Sequence, residues 1–381
     1  MPRITYLDYN ATNPVRPEVV ARMSKLLTEP HNASSVHFYG REGKKYIENA
    51  REIIAQSLNC WKNEIVFTSC GTEANNAVLR GEASRRILIS AIEHSSITKT
   101  VPHAQRIPVD NQGIVQLDAL REMLEQDTTP TLVSVMLANN ETGAIQPIAD
   151  IVKICRAWGG DVLVHTDAAQ ALGKISTDFS MLGVDMMTVS AHKLGGAHGA
   201  AALILRNDLP IKPLLTGGGQ ELGRRAGTEN VAAINGFGLA VELAQKDAAH
   251  WQNLRGWLDA MENEIIAHAQ NAYVFSKDVA RLPGTSCVAM PGISSETQLM
   301  AFDLNGVAVS AGSACSSGKI EASHVIKAMG FGKDIAATAI RISGGWNTTQ
   351  EDIAKATNEW KKLYDRIGKK TSKKVESCAH E

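Results

Sequence analysis

The sequence predicts an α/β protein, with one large domain on a mainly parallel sheet and a second, smaller α+β domain. From about residue 64, short continuous apolar runs alternate with helix-like runs, the pattern of parallel strands buried on both faces beneath crossover helices. The 381 residues are 44% hydrophobic, which supplies a large core but exceeds the size at which one core stops growing. After two long helical segments the later strands are shorter, as expected of a separate unit.

Taken in order, residues 64–68 (Glu-Ile-Val-Phe-Thr) form the first strand of the sheet, and Gly71-Thr72-Glu73 opens a helical run over 74–82. Further buried strands are expected over 86–91, 131–137, 161–166 and 185–190, each a nearly unbroken apolar run. Two amphipathic segments, near 230–245 and 250–269, are expected to lead away from the sheet. Strands over 272–275 and 285–290, a helix over 297–305, a strand over 338–343 and a terminal helix over 350–366 complete the smaller unit. The polar stretch 368–381 is expected to be a disordered tail.

Ligands on such sheets bind beyond the carboxyl ends of the strands, and that is where the chemistry-bearing residues fall. Lys193 closes the run Val184-Asp-Met-Met-Thr-Val-Ser-Ala-His-Lys193, and Asp167 closes Asp161-Val-Leu-Val-His-Thr-Asp167. A lysine and a carboxylate so placed suit pyridoxal phosphate. The amine can bond the cofactor aldehyde, while the carboxylate keeps the pyridine nitrogen protonated so that the ring accepts electrons. Each residue alone has an ordinary alternative, a solvated strand end for the lysine and a helix cap for the aspartate. Their neighbours tip the balance. Ser190 and His192 are compact donors suited to a phosphate, and Gln170 lies one helical turn past Asp167. Gly71-Thr72 starts a helix whose free N–H groups and dipole favour an anion. A third feature is Gly312-Ser-Ala-Cys315-Ser-Ser-Gly318, a cysteine among small residues where nothing resembles a core, the setting of a thiol nucleophile.

The six cysteines show no Cys-x-x-Cys spacing, which argues against zinc and against a disulfide framework, so no metal is expected. Cys155 and Cys287 have the surroundings of buried thiols, Cys70 is expected to line the phosphate end without reacting, and Cys378 lies in the tail. A net charge of −1 offers no basic patch for nucleic acid or anionic membranes. No apolar stretch is long enough to span a bilayer, and Met1-Pro-Arg-Ile-Thr-Tyr-Leu-Asp8 lacks the apolar segment of a signal peptide, so a cytoplasmic location is expected.

Eleven stretches carry a family resemblance, among them Tyr6-Leu-Asp-Tyr-Asn-Ala-Thr12, Phe67-Thr-Ser-Cys-Gly-Thr-Glu73, Glu93-His94, Asn139-Asn-Glu-Thr-Gly143, His165-Thr-Asp-Ala-Ala-Gln170, Gly217-Gly-Gly-Gln-Glu221, Arg225-Ala-Gly-Thr228 and Ile340-Arg341. With Ser190-Ala-His-Lys193 and the Cys315 loop, the chain resembles the pyridoxal phosphate-dependent cysteine desulfurases of the NifS and IscS type, in that family's order from near residue 5 to near 345. The loop is the specific element, because related enzymes share the lysine and aspartate but lack the cysteine.

The resemblance implies the aminotransferase-like fold of pyridoxal phosphate transferases. It places the large domain at 14–257 and the small domain at 1–13 and 258–367, with the cleft between them. It implies that His94 stacks on the cofactor ring and relays protons, that Gln170 donates to the cofactor's phenolic oxygen, and that Asn140 meets that oxygen or the substrate carboxylate. Arg341 would grip the carboxylate with its planar fork. Thr228 would reach the partner subunit's phosphate in a homodimer. L-cysteine would displace Lys193, which then removes the α-proton, and Cys315 would attack the substrate sulfur, keeping it as a persulfide while L-alanine leaves. The sulfur would pass to an acceptor such as an iron–sulfur scaffold protein. Two departures stand out: Asn13, where Thr is common, and Leu194-Gly-Gly-Ala-His198-Gly, where many relatives carry Tyr-Gly-Pro-Lys-Gly. Alternatives are a selenocysteine lyase, an aminotransferase of the same fold, which the 312–318 loop opposes, and a non-catalytic docking protein, which intact Lys193, Asp167, Arg341 and Cys315 oppose.

Overall fold

The computed structural model describes residues 4–206, 209–312 and 322–368. Cys315, and the tail with Cys378, lie outside the described residues. Twelve strands are described: β1 (Thr5–Tyr6), β2 (Ile65–Thr68), β3 (Arg86–Ser90), β4 (Gln105–Ile107), β5 (Thr131–Ser134), β6 (Val162–Asp167), β7 (Met186–Ser190), β8 (Ala201–Leu205), β9 (Tyr273–Val274), β10 (Thr285–Ala289), β11 (Val307–Ala308) and β12 (Ala339–Ser343).

Seven of them form one sheet in the order β2-β8-β7-β6-β5-β3-β4. The pairs β3/β4, β3/β5, β5/β6 and β6/β7 are parallel, while β8 runs antiparallel to both of its neighbours, so β8 alone reverses the common direction. Side chains alternate between two apolar layers, as the period of two requires. Ile65 and Phe67 of β2, Leu88 of β3 and Val164 of β6 enter the larger core, whereas Val66, Ile89 and Leu163 enter the opposite one. The helix Gly71–Gly81 covers the second layer through Ala74, Val78 and Leu79.

Sequence expectation and structure differ most at three places. Strand β4 was not expected, because its Gln105 and Arg106 are exposed on the sheet edge and leave no apolar run. Strand β8 was also missed although all five of its residues are apolar and buried, a signal that was present in the sequence. The segment expected to lead away near 230–245 instead forms the helix Val231–Ala244, apolar nearly all round and inserted into the larger core against the helix Phe38–Leu58. Gly238 permits that approach, since a Cβ there would sit 2.8 Å from the Ala50 Cα.

The remaining strands form two small sheets, β12-β10-β9 antiparallel and β1-β11 parallel. They pack with the helices Ala248–His268 and Gln350–Leu363 around Leu254, Leu258, Ile340, Ile342 and Trp360. The amino-terminal segment joins this layer, with Asp8 bridging to Ser343. Among the described residues no helix is long and apolar enough to cross a membrane, and no group of three or more His, Cys, Asp or Glu is arranged to hold a metal ion.

Candidate active site

The carboxyl ends of the parallel strands open into a cleft of about 300 Å³. Nine of the residues singled out in the sequence line it: Gly71, Thr72, His94, Asn140, Asp167, Gln170, Ser190, His192 and Lys193. Cys70 lines it as well, exposed at the edge. They converge because β2, β3, β5, β6 and β7 end on one side, each delivering its next few residues there.

Lys193 is held by the return from β7 to β8, closed where the Ala191 N–H donates to the Ala200 carbonyl at 3.2 Å. Its Nζ donates to the Asn10 carbonyl at 2.6 Å and the Ala11 carbonyl at 2.9 Å. Burial, then the Arg341 charge, lowers its pKa to about 8 against the opposing pull of Asp167 and Asp8. A neutral amine is therefore accessible near physiological pH. Asp167 is buried and receives the Asn75 side-chain N–H on Oδ2 at 2.7 Å and the Ala169 N–H on Oδ1 at 2.9 Å. Asn75 donates also to Ser96 Oγ at 2.9 Å, and that hydroxyl lies 2.9 Å from His94 Nδ1. The Ser96 backbone N–H donates to the same nitrogen at 3.1 Å, so the neutral ring carries its proton on Nε2. Burial holds the His94 pKa below the ordinary histidine value despite Asp167.

At the other end, the helix Gly71–Gly81 begins without a side-chain cap, leaving its first N–H groups facing the cleft. Ser190 Oγ is buried with no hydrogen-bond partner, a state that costs about 1–3 kcal/mol unless a ligand meets it. His192 is pushed down to about 3 by burial first and by Lys193 next, so it is a neutral donor; its Nδ1 lies 3.2 Å from Thr12 Oγ1. An orphaned hydroxyl, an open helix start and a neutral imidazole fit a phosphate group.

Two candidates sit apart from this cleft. Arg341, on β12, is not among its lining residues: one Nη donates to Asp8 Oδ1 at 2.6 Å, the other to the Asn140 carbonyl at 3.0 Å, and Nε is buried without a partner. Thr228 is exposed in a separate depression with Ser69, Gly199 and Arg225. The stretch after Asp167 is a series of turns rather than a helix, yet it still returns Gln170 to the cleft. At the departures, Asn13 donates to the Tyr9 carbonyl at 3.0 Å and the Lys193 carbonyl at 2.9 Å, and His198 stacks on His192 with centroids 5.1 Å apart.

Sequence reasoning missed Asn75, Ser96 and Asn10. Asn75 had a signal, lying four residues after Gly71 on the same helix face. Ser96 had a weaker one, two residues after His94 at the start of the helix Ser95–Thr98. Asn10 had none, because it meets Lys193 through its backbone carbonyl.

A doubly layered, mainly parallel sheet with a lysine, an aspartate and a phosphate-ready helix start at its carboxyl edge defines a pyridoxal phosphate enzyme of the aminotransferase class. The profile of the aminotransferase class-V family matches residues 5–355, and the chain belongs to that family, which depends on pyridoxal phosphate. Among its relatives is the cysteine desulfurase IscS of Dictyoglomus turgidum, 38% identical over 385 aligned positions that cover 96% of each chain. A cysteine desulfurase of Cereibacter sphaeroides is 39% identical, covering 91% of this chain and 92% of that one. The solved structure of a NifS-like protein from Rickettsia africae superposes with a TM-score of 0.89 at 38% identity, covering 95% of this chain and all of the other.

Proposed function

We propose that the protein is a cysteine desulfurase that converts L-cysteine to L-alanine and retains the sulfur as a persulfide on Cys315 for delivery to an acceptor protein. The observation that carries this is the convergence of Lys193, Asp167 and the unpartnered Ser190 hydroxyl on one cleft, in a chain whose relatives are named for that activity. Thr72, Ser190, His192 and the Gly71 helix start would hold the phosphate, with Asp167 and Gln170 at the ring. Bound pyridoxal phosphate supplies an aldehyde that captures amines and a protonated ring that accepts the α-carbon electrons.

Lys193, with its lowered pKa, takes the α-proton of the substrate. Asp167, buried and fixed by Asn75, supplies the negative charge that favours a protonated ring nitrogen. His94, which lines the cleft, would cover the ring and exchange protons. Asn140, which lines the cleft, and Arg341, which donates to the Asn140 carbonyl at 3.0 Å, would orient the substrate carboxylate. The Cys315 thiolate attacks the substrate sulfur, the carbon–sulfur bond breaks with its electron pair going to the carbon fragment, and that fragment is protonated and leaves as L-alanine.

The domain division at 14–257 against 1–13 and 258–367 belongs to the same proposal, as do a homodimer in which Thr228 meets the other subunit's phosphate, an iron–sulfur scaffold as the acceptor, and a cytoplasmic location. Incubation of the cofactor-loaded protein with L-cysteine and a reductant tests the reaction: sulfide and alanine are expected in equal amounts. Sulfide without alanine, or neither, would overturn it.

A further inference from the structure

Beneath Gln170 lies a lysine that the proposed chemistry does not use. Lys174 is buried, and among the described residues it pairs with no carboxylate. Its Nζ donates to Gln170 Oε1 at 3.1 Å and Asn10 Oδ1 at 3.4 Å. A buried ammonium without a counter-charge is costly, which makes its placement under the cleft a departure from ordinary packing. Burial first, then the charges of Lys193 and Arg341, push its pKa down to about 7.

An amide side chain can turn either its oxygen or its nitrogen toward a neighbour, and an ammonium, having no lone pair, accepts only the first arrangement. Gln170 must therefore point Oε1 down at Lys174. Its Nε2 then faces the other way, where it donates to the Asn10 carbonyl at 2.8 Å, the same carbonyl that receives Lys193 Nζ at 2.6 Å. Loss of one proton from Lys174 leaves two N–H groups for two oxygens, and the Asn10 carbonyl still accepts from Gln170 Nε2, so the arrangement survives neutralisation.

We propose that Lys174 is a positioning residue for cofactor binding: it fixes the side-chain amide of Gln170 with its N–H end toward the cleft, where it donates to the phenolic oxygen of bound pyridoxal phosphate. The inference rests on the cofactor role proposed above for Gln170, but not on the desulfurase reaction. A donor at a phenolic oxygen stabilises the anion. Without Lys174 the amide is held by the Asn10 carbonyl alone, its N–H end is less firmly directed, and the bound cofactor holds its proton more tightly.

The test is a pH titration of the cofactor's visible absorption band in the holoenzyme, with no cysteine present, for the parent, Lys174→Met, Lys174→Arg, Gln170→Leu and the double variant Lys174→Met/Gln170→Leu. The midpoint is expected to rise in Lys174→Met by about half a pH unit or more, roughly a threefold change in proton affinity. Lys174→Arg, which keeps a donor-only group, should restore it, and Lys174→Met should add nothing once Gln170 is Leu. An unmoved midpoint in Lys174→Met, or a shift that adds in full to that of Gln170→Leu, overturns the proposal. So does failure of both Lys174 variants to fold and bind the cofactor, which would make the residue structural. Shifted midpoints in a protein that releases no sulfide would leave Lys174 its role and sink the desulfurase reading instead.

Discussion

Asn75 divides its side-chain NH2 between Asp167 Oδ2, at 2.7 Å, and Ser96 Oγ, at 2.9 Å. Through Ser96 the same amide fixes His94, so one residue on the helix Gly71–Gly81 sets the position of an acid from β6 and a base from the loop after β3. Asn75→Ala is expected to slow α-proton exchange of bound cysteine by about tenfold, the loss of one hydrogen bond to a charge at about 1.5 kcal/mol. Deuterium uptake at the α-carbon measures it, and unchanged exchange would show that Asp167 needs no such support.

Asp167→Asn removes the charge itself while keeping the size. Exchange should fall by about a hundredfold or more, for about 3 kcal/mol of lost stabilisation. Near-normal exchange would assign the ring nitrogen to another acid.

Lys193→Ala should abolish turnover but leave the proposed phosphate contacts of Thr72, Ser190 and His192 in place. The variant is expected to bind pyridoxal phosphate without a covalent link, seen as cofactor that dialyses away more readily than from the parent. Ordinary turnover would remove Lys193 from the mechanism.

Glu93 gives a pH signature in stability. It is fully buried, and burial first, with Asp167 adding, raises its carboxyl to about 8 against hydrogen bonds from Ser90 and the Met136 N–H. The folded state thus keeps a proton that the unfolded chain loses near 4.5, so the contribution of Glu93 is complete below that pH and is lost as pH rises toward 8. Glu93→Gln should become more stable relative to the parent over this window, by on the order of a few kcal/mol at the upper end. Denaturant titrations of both proteins at pH 5 and pH 8 check the sign; a constant difference would mean that Glu93 is ionised when folded.

Cys315→Ser should bind cofactor and cysteine yet release neither alanine nor sulfide. In the parent, alkylation at mildly alkaline pH should reach Cys315 before Cys155 or Cys287, since burial pushes the Cys155 thiol up to about 12 and raises Cys287 as well. Brief exposure to cysteine should add the mass of one sulfur atom to the Cys315 peptide. Sulfur on Cys70 or Cys378 instead would move the nucleophile.

What was legible in the chain followed the carboxyl ends of apolar strands. Asp167, Ser190 and Lys193 could be placed because β6 and β7 are unbroken apolar runs whose last residues must emerge at one edge. Hidden features were of two kinds. Strand β4 and the Asn10 carbonyl carry no side-chain signature, the first because an edge strand is exposed and the second because every residue has a carbonyl. Lys174 and Glu93 were visible as residues, but a charged letter beside apolar ones does not say whether it reaches water. Only the packing of Asn10 and Gln170 over Lys174, and of Met136 and Ser90 against Glu93, settles that they do not.

The amino-terminal segment carries a consequence for biogenesis. The Asn10 N–H bonds Ser343 Oγ across a separation of 333 residues, and the Tyr9 N–H bonds the Ser343 carbonyl. The two carbonyls that face Lys193 are therefore set in place only when β12 has been synthesised and paired. Such a pairing over 333 positions is a slow closure by the measure of sequence separation.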